Sequence, residues 1–133
     1  MLLLDASVWV SLVERGSPHR DAAARLILEQ SGRLCALDLT LYEVANAIGV
    51  KQGNAEEAGR VNCLLLRSCR DRILPVEAEL LDSTLRIAGE KGLTAYDAAY
   101  VAAAGRYGWQ LVSTEIRDLV SKGLAITPDD AVP

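Results

Sequence analysis

Residue types that carry several common site chemistries are scarce in this chain of 133 residues. Its three cysteines, Cys35, Cys63 and Cys69, form no C-x-x-C pair, so neither a disulfide framework nor a cysteine zinc site is indicated. Its one histidine, His19, cannot make a typical zinc site, and no serine or cysteine nucleophile is paired with it. Zinc chemistry and histidine-activated nucleophiles are therefore disfavoured.

Long apolar runs are also missing. The apolar start of the chain stops at Asp5, which is short of the roughly 7–15 apolar residues of a signal peptide. No run approaches the ~20 apolar residues of a membrane span. We therefore expect a soluble, cytoplasmic protein without membrane association.

Basic residues are outnumbered. Lysine and arginine total 14 against 18 aspartates and glutamates, for a formal net charge of −4. This balance argues against a plain cationic nucleic-acid binder and leaves open a specific use of the acids. The length predicts a single domain over residues 1–133, and a hydrophobic content of 50% excludes a disordered chain.

Short apolar segments alternate with helical patterns along the whole chain. The predicted strands are 2–4, 33–37, 73–76, 110–113 and 124–126. The predicted helices are 8–16, 18–30, 40–51, 54–70, 77–91, 94–107 and 115–120. Such alternation predicts an α/β fold with a central, mostly parallel sheet that is covered by helices on both faces.

Four acids occupy special places in this pattern. Asp5 follows the first strand and Glu115 follows the strand 110–113, while Glu43 and Asp97 fall in the first turns of two predicted helices. The carboxyl ends of parallel strands and the helix starts that follow them share one edge of the sheet. We therefore expect the four carboxylates to converge in one cleft.

Convergent carboxylates repel one another unless a cation lies between them. Mg²⁺ and Mn²⁺ prefer carboxylate oxygens, and one or two such ions would polarise a phosphodiester and activate water. The pattern therefore indicates metal-dependent phosphodiester hydrolysis.

Helix capping is the alternative for each acid taken alone. The stretches from Thr40 to Glu43 and from Thr94 to Asp97 both fit the capping box, in which the acid reaches back to the helix start. Asp5 would then be a turn residue. Capping alone would require neither the repeated tyrosine-acid pair, Tyr42-Glu43 and Tyr96-Asp97, nor a strand that ends directly at Asp5.

Four stretches together resemble the acidic motifs of PIN domains, and most closely those of VapC-type toxins of toxin–antitoxin modules. They are LLDAS from residue 3, YEVANA from residue 42, TAYDAAYVA from residue 94 and LVSTE from residue 111. The resemblance covers the whole chain in order, and the third stretch is its most specific part.

The resemblance implies a three-layer α/β/α fold and a Mg²⁺- or Mn²⁺-dependent endoribonuclease. Asp5 and Asp97 match the two acids most directly associated with the metal, and Glu43 matches a third. Glu115 stands where the family usually has aspartate, and Asp118 is a substitute for it if the turn is wound differently. The resemblance further implies an RNA substrate, a small VapB-like antitoxin, and a homodimer or higher homo-oligomer.

Two other functions stay open. One is a PIN-type nuclease that acts on DNA or in RNA processing without an antitoxin. The other is a noncatalytic α/β binding module of the flavodoxin or receiver type. A D-x-D phosphatase is disfavoured, because Ser7 stands where its second aspartate would be.

Several surface residues have two interpretations. Thr94 and Ser113 would line the cleft, although Thr94 also suits a helix cap. A cluster of arginines would contact RNA phosphates or form a solvated helix face with partners such as Glu56; its members are Arg60, Arg67, Arg70 and Arg72. Trp9, with Leu12, would line an antitoxin groove or pack in the core.

Overall fold

A computed structural model of the chain describes residues 1–133. Its strands are β1 (Leu2–Leu4), β2 (Leu34–Leu37), β3 (Ile73–Leu74) and β4 (Gln110–Val112). They form one parallel sheet in the order β3-β2-β1-β4. β1 lies in the interior of the sheet, where Leu3 pairs with Cys35 on one side and with Leu111 on the other.

Helices make the connections between the strands. They are α1 (Ala6–Ser11), α2 (Arg20–Glu29), α3 (Asp38–Val44), α4 (Ala55–Cys69), α5 (Ala78–Lys91), α6 (Ala95–Tyr107) and α7 (Pro128–Ala131). α3 continues as a wider π-helical segment over Ala45–Lys51, and a second π-helical segment covers Ile116–Val120. None of the helices combines the length and apolarity that crossing a membrane requires.

The two central strands, β1 and β2, are buried on both faces, as the run of apolar residues in each predicts, whereas β3 is half-buried and β4 begins with exposed Gln110. Leu2 and Leu4 belong to a core cluster with residues of α1, α2, α3 and α4, whereas Leu3 belongs to a second cluster with residues of α5 and α6. Alternate side chains of β1 therefore pack into two separate hydrophobic layers, one on each face of the sheet. The predicted α/β/α architecture is confirmed, and it places the start of α1 and the end of β4 side by side.

Local signals in the sequence set most helix ends. Asn54 caps α4 by accepting a hydrogen bond from the Glu57 N–H at 3.1 Å. Gly92 and Gly108 end α5 and α6 in the left-handed conformation, which glycine adopts without steric cost. These predicted boundaries agree with the structure within one residue.

Other boundaries differ from the prediction. α1 ends at Ser11, and the chain continues as a tighter turn, with the Val13 N–H donating to the carbonyl of Val10 at 3.1 Å. The predicted last strand shrinks to one bridge, because only Ile126 of that segment pairs with the sheet, next to Val112. Helix α7 was not predicted, although Thr127 caps it.

Candidate active site

Four acidic residues lie at the edge of the sheet where the parallel strands end. Asp5 follows β1 and caps α1, and Glu115 follows β4, the neighbouring strand. Asp97 is in the first turn of α6, and Glu43 is in the second turn of α3. The structure thus brings to one region the acids that the strand topology predicts to be close.

Asp5 is buried, with 3% of its surface exposed. Its carboxylate accepts a hydrogen bond from the Ser7 N–H at 3.0 Å and another from the Ser7 hydroxyl. Burial raises the pKa of Asp5 to about 7, against the opposing effect of the Ser113 and Ser7 hydroxyls, and the charge of Asp97 adds to the rise. The ionised form of Asp5 would therefore be favoured by a nearby cation.

Glu43 is held by a chain of hydrogen bonds that starts on the backbone. Its carboxylate accepts a hydrogen bond from the Tyr100 hydroxyl at 2.8 Å. The Tyr100 oxygen lies 2.7 Å from Oγ1 of Thr40, which accepts from the Leu37 N–H at 3.2 Å. A phenol has one proton, so Thr40 donates to Tyr100 while Tyr100 donates to Glu43. The chain fixes the Glu43 carboxylate toward α6.

The capping-box interpretation of Thr40 to Glu43 is wrong. α3 begins at Asp38, two residues before the predicted start, so Thr40 is already its third residue and Glu43 lies beyond the first turn. Burial raises the pKa of Glu43, the Tyr100 hydrogen bond lowers it, and the charge of Asp97 raises it.

Asp97 is the electrostatic centre of the group. Thr94 caps α6 by accepting a hydrogen bond from the Asp97 N–H at 3.1 Å, so the predicted cap is confirmed. Burial and then the charge of Asp118 raise the pKa of the Asp97 carboxyl group, whereas hydrogen bonding by the Thr94 side chain and the charge of Lys122 lower it. The Asp97 charge in turn raises the pKa values of the three other acids.

Hydroxyl groups join the ends of β1 and β4 at this site. The Thr114 N–H donates to Oγ of Ser7 at 2.9 Å, and the Glu115 N–H donates to Oγ of Ser113 at 3.0 Å. The two serine oxygens lie 3.4 Å apart. Ser113 therefore orients the backbone that carries Glu115, which gives this predicted cleft residue a definite structural role.

Glu115 is the acid of this group whose pKa is raised by the largest number of neighbouring carboxylates. Burial raises its pKa, and so do the neighbouring charges of Asp97, Asp118 and Glu14. Asp118, the proposed substitute for Glu115, therefore lies near both that residue and Asp97. Glu14 is an acid that the sequence analysis missed, because it follows α1 in a turn rather than a strand end.

A cleft of about 630 Å³ opens beside the acids, bordered by α1, α3 and the start of α6. Glu43 and Glu115 line this cleft, whereas Asp5, which is buried, and Asp97 do not. Lys51 is the one basic residue along it. The cleft is therefore acidic and offers little positive charge of its own to an anionic substrate.

The cleft is also lined by residues that were not predicted from the sequence to belong to the site. Tyr42, Asn46 and Lys51 lie along one side of α3 and its π-helical continuation, and Tyr96 lies at the start of α6. The repeated tyrosine-acid pairs in the sequence are the one signal that could have singled out Tyr42 and Tyr96. Asn46 and Lys51 reach the cleft only because of how their helix packs, and no short sequence motif encodes that packing.

The donor set suits an oxygen-preferring divalent cation. No group of three or more His, Cys, Asp or Glu side chains stands arranged to hold a metal ion. Mg²⁺, however, is commonly held by one or two carboxylates together with waters and substrate phosphates. Asp5 and Asp97 supply two carboxylates of this kind, and the charge of Asp97 raises the pKa of Asp5; Glu43 and Glu115 are further oxygen donors at the same edge of the sheet.

The arginine cluster divides into several roles. Arg60 pairs with Glu56 at 3.3 Å and with a second glutamate of the same helix at 3.0 Å, as a solvated helix face predicts. Arg72 donates to three main-chain carbonyls at 2.8–3.0 Å, so its contacts are structural. Arg67 and Arg70 are exposed. The cluster therefore does not form a single phosphate-binding surface.

Trp9 is fully buried. Its indole belongs to the core cluster, so the prediction that it lines an open groove with Leu12 is wrong and its core interpretation is confirmed. His19 contacts Asp129 through Nδ1 at 2.7 Å, which joins the loop before α2 to the C-terminal helix.

The protein is therefore a three-layer α/β/α protein in which several carboxylates lie at the carboxyl edge of a parallel sheet. The family model described as the PIN domain matches residues 2–121. The chain therefore belongs to the PIN-domain family, as the four sequence stretches predict.

Two relatives from Pyrobaculum aerophilum match nearly the whole chain. A protein named Ribonuclease VapC3 is 33% identical over 132 residues, which is 96% of this chain and 98% of that protein. A protein named Exonuclease VapC9 is 36% identical over 127 residues, which is 90% of this chain and 84% of that protein. The predicted resemblance to VapC proteins is confirmed.

Solved structures have the same fold. The crystal structure of PAE2754 from Pyrobaculum aerophilum superposes with a TM-score of 0.73 and 31% identity, covering 98% of this chain and 85% of that one. A toxin–antitoxin complex from Klebsiella pneumoniae contains a chain with a TM-score of 0.71 and 19% identity, covering 96% and 98% respectively. The second likeness concerns the fold alone.

Proposed function

We propose that the protein is a metal-dependent endoribonuclease that hydrolyses RNA phosphodiester bonds as the toxin of a toxin–antitoxin pair. The observation that carries the proposal is that Asp5, Glu43, Asp97 and Glu115, which are far apart in the sequence, all lie at the carboxyl edge of the parallel sheet. The nearly full-length similarity to Ribonuclease VapC3 supports RNA as the substrate.

Asp5 and Asp97 would hold one or two Mg²⁺ or Mn²⁺ ions, with Glu43 and Glu115 as additional ligands. When bound, such an ion supplies the positive charge that polarises a phosphodiester and activates water toward it. It would also relieve the repulsion that raises the pKa values of all four acids.

The remaining contacts of the site position these carboxylates. Tyr100 and Thr40 orient Glu43, Thr94 fixes the first turn that carries Asp97, and Ser113 orients the backbone of Glu115. The extra methylene of Glu115 relative to aspartate, in a place where the PIN resemblance implies aspartate, extends its reach into the cleft.

RNA cleavage with and without the predicted ligands tests the proposal. We expect cleavage with Mg²⁺ or Mn²⁺, none with EDTA, and a loss of at least about 100-fold in Asp5→Asn and Asp97→Asn, since each removes a carboxylate that would hold the cation beside the reacting phosphate. Asp82→Asn is the matched control, because Asp82 is an exposed acid on α5 without an ion pair. Unchanged cleavage in both site variants would contradict the proposal.

Three alternatives have distinct experimental signatures. Similarity to a protein named Exonuclease VapC9 favours testing end-dependent cleavage. A circular RNA is cut only by an endonuclease, and a matched DNA separates a ribonuclease from a DNA-directed PIN nuclease. Absence of Mn²⁺ binding at millimolar concentration would instead favour a noncatalytic module.

The partner and the assembly state are part of the same proposal. The fold is shared with a chain of a toxin–antitoxin complex, and the family resemblance implies a small VapB-like antitoxin and a homodimer or higher homo-oligomer. Co-purification with the product of an adjacent small reading frame, and the mass of the isolated protein in solution, test these two expectations.

A further inference from the structure

The aromatic side chains of this protein are few, and most of them have partners within the fold. The chain has two tryptophans, four tyrosines and no phenylalanine. One tryptophan and one tyrosine are buried. Tyr107 and Trp109 stack on each other with ring centroids 4.8 Å apart. Only Tyr42 and Tyr96 are left without such a partner.

Tyr42 and Tyr96 are strongly exposed, at 81% and 62% of their surface. Neither hydroxyl makes a hydrogen bond within the chain, in contrast with that of Tyr100, which bonds both Thr40 and Glu43. A single exposed aromatic residue is common and needs no explanation. Here, however, neither ring has a structural role that accounts for it.

Both tyrosines line the same cleft. Tyr42 is on α3 and Tyr96 is at the start of α6, and both line the acidic cleft. Each directly precedes one of the candidate acids, Glu43 and Asp97. The two unpartnered aromatic rings of the molecule therefore border the site where a phosphate would react.

We propose that Tyr42 and Tyr96 are positioning residues that stack on unpaired RNA bases flanking the scissile phosphate. The inference rests on the proposed function and assigns to these two residues the contact with the bases. Sequence-tolerant proteins bind single strands by stacking bases on aromatic rings, because every base has a π-face. In duplex RNA the bases are stacked on each other and cannot reach these rings.

The charge of the cleft explains why stacking is needed. Proteins that bind nucleic acid through the backbone use many lysines and arginines, whereas Lys51 is the only basic residue along this cleft. Stacking does not depend on positive charge, so it can hold RNA beside carboxylates that would otherwise repel it. Binding should accordingly depend weakly on salt.

Cleavage of a short unpaired RNA and of the matching duplex, both with Mn²⁺, tests the inference. Tyr42→Ala and Tyr96→Ala should each lower kcat/KM on unpaired RNA by about 5- to 150-fold, mainly through KM. Tyr42→Phe and Tyr96→Phe should stay within about twofold of the wild type, because stacking does not use the hydroxyl. Activity on the duplex should be low for every variant.

Tyr107→Ala is the matched control, since Tyr107 lies on the same helix as Tyr96 but roughly 16 Å farther along it. It should leave kcat/KM unchanged. An RNA with single abasic positions tests the same contact without changing the protein. Removal of the stacked base should weaken wild-type cleavage as much as Tyr→Ala does, and should have no further effect on that Ala variant.

The possible failures are separable. If the wild type cleaves no RNA with Mn²⁺, the proposed function fails. If the wild type cleaves unpaired RNA and both Ala variants match it, only the stacking inference fails, as it would if the tyrosines contacted a protein partner instead. Equal losses from abasic substitution in the wild type and the Ala variants would also overturn it.

Discussion

Burial raises the pKa of Asp5 from 3.8 to about 7, so folding favours its protonated form. Between these two values the native chain keeps a proton that the unfolded chain has lost. The contribution of Asp5 to stability therefore falls as the pH rises from about 4 to about 7, and is constant outside that window. Asparagine has no such titration and can still cap α1.

Asp5→Asn should therefore be more stable than the wild type at pH 8 in EDTA, by on the order of 2–4 kcal/mol. The difference should shrink toward zero near pH 4. Urea unfolding at several pH values measures it, and Asp82→Asn should show no such pH-dependent gain. A difference between Asp5→Asn and wild type that does not change with pH would contradict the burial argument.

Single residues also mark where sequence reasoning about the site succeeds and fails. Asp5 and Glu115 could be placed together because each follows a strand, and parallel strands end at one edge. The Tyr100 hydrogen bond to Glu43 could not be predicted, because the two residues are 57 positions apart and meet only through helix packing. Glu14 could not be predicted either, because it belongs to no recognised motif and does not follow a strand.

Helix starts place two of the acids, and equivalent caps allow a matched experiment. Thr94 accepts a hydrogen bond from the Asp97 N–H at 3.1 Å, and Thr127 accepts one from the Asp130 N–H at 3.2 Å. The first cap carries a site residue, whereas the second begins α7, which packs on α2. The same substitution at the two positions thus separates stability from activity.

Thr94→Ala and Thr127→Ala should each lower stability by about 1 kcal/mol, the usual cost of losing a threonine cap. Only Thr94→Ala should also reduce RNA cleavage, because the turn that holds Asp97 loosens. Thr94→Ser should restore activity. Equal activity in the two Ala variants would show that the cap does not position Asp97.

At the scale of elements, the sequence predicted the alternation and most helix ends because those signals are local. Asn54, Gly92 and Gly108 act on their own turns and lie where expected. The start of α3 was misplaced, because Thr40 and Glu43 fit a capping box in sequence, whereas Oγ1 of Thr40 accepts from the Leu37 N–H and Glu43 accepts from Tyr100. The prediction of a strand over residues 124–126 was wrong, because only Ile126 pairs with β4.

The net charge of the molecule, −4, is less informative than its distribution. All four candidate acids have raised pKa values, and each rise includes repulsion from another carboxylate. Such a concentration of negative charge stores electrostatic free energy in the metal-free protein. A divalent cation that binds only the folded chain should recover it as stability.

Addition of Mn²⁺ at ten times its Kd should therefore stabilise the wild type by about 1.4 kcal/mol, which raises its Tm by roughly 3–6 °C. Asp97→Asn should lose most of this gain, since it removes the carboxylate that acts on all the others, whereas Asp82→Asn should keep it. Thermal unfolding in EDTA, in Mn²⁺ and in NaCl of equal ionic strength measures the effect. A gain of the same size in NaCl would reveal general charge screening instead of a metal site, and would weaken the case for metal-dependent hydrolysis.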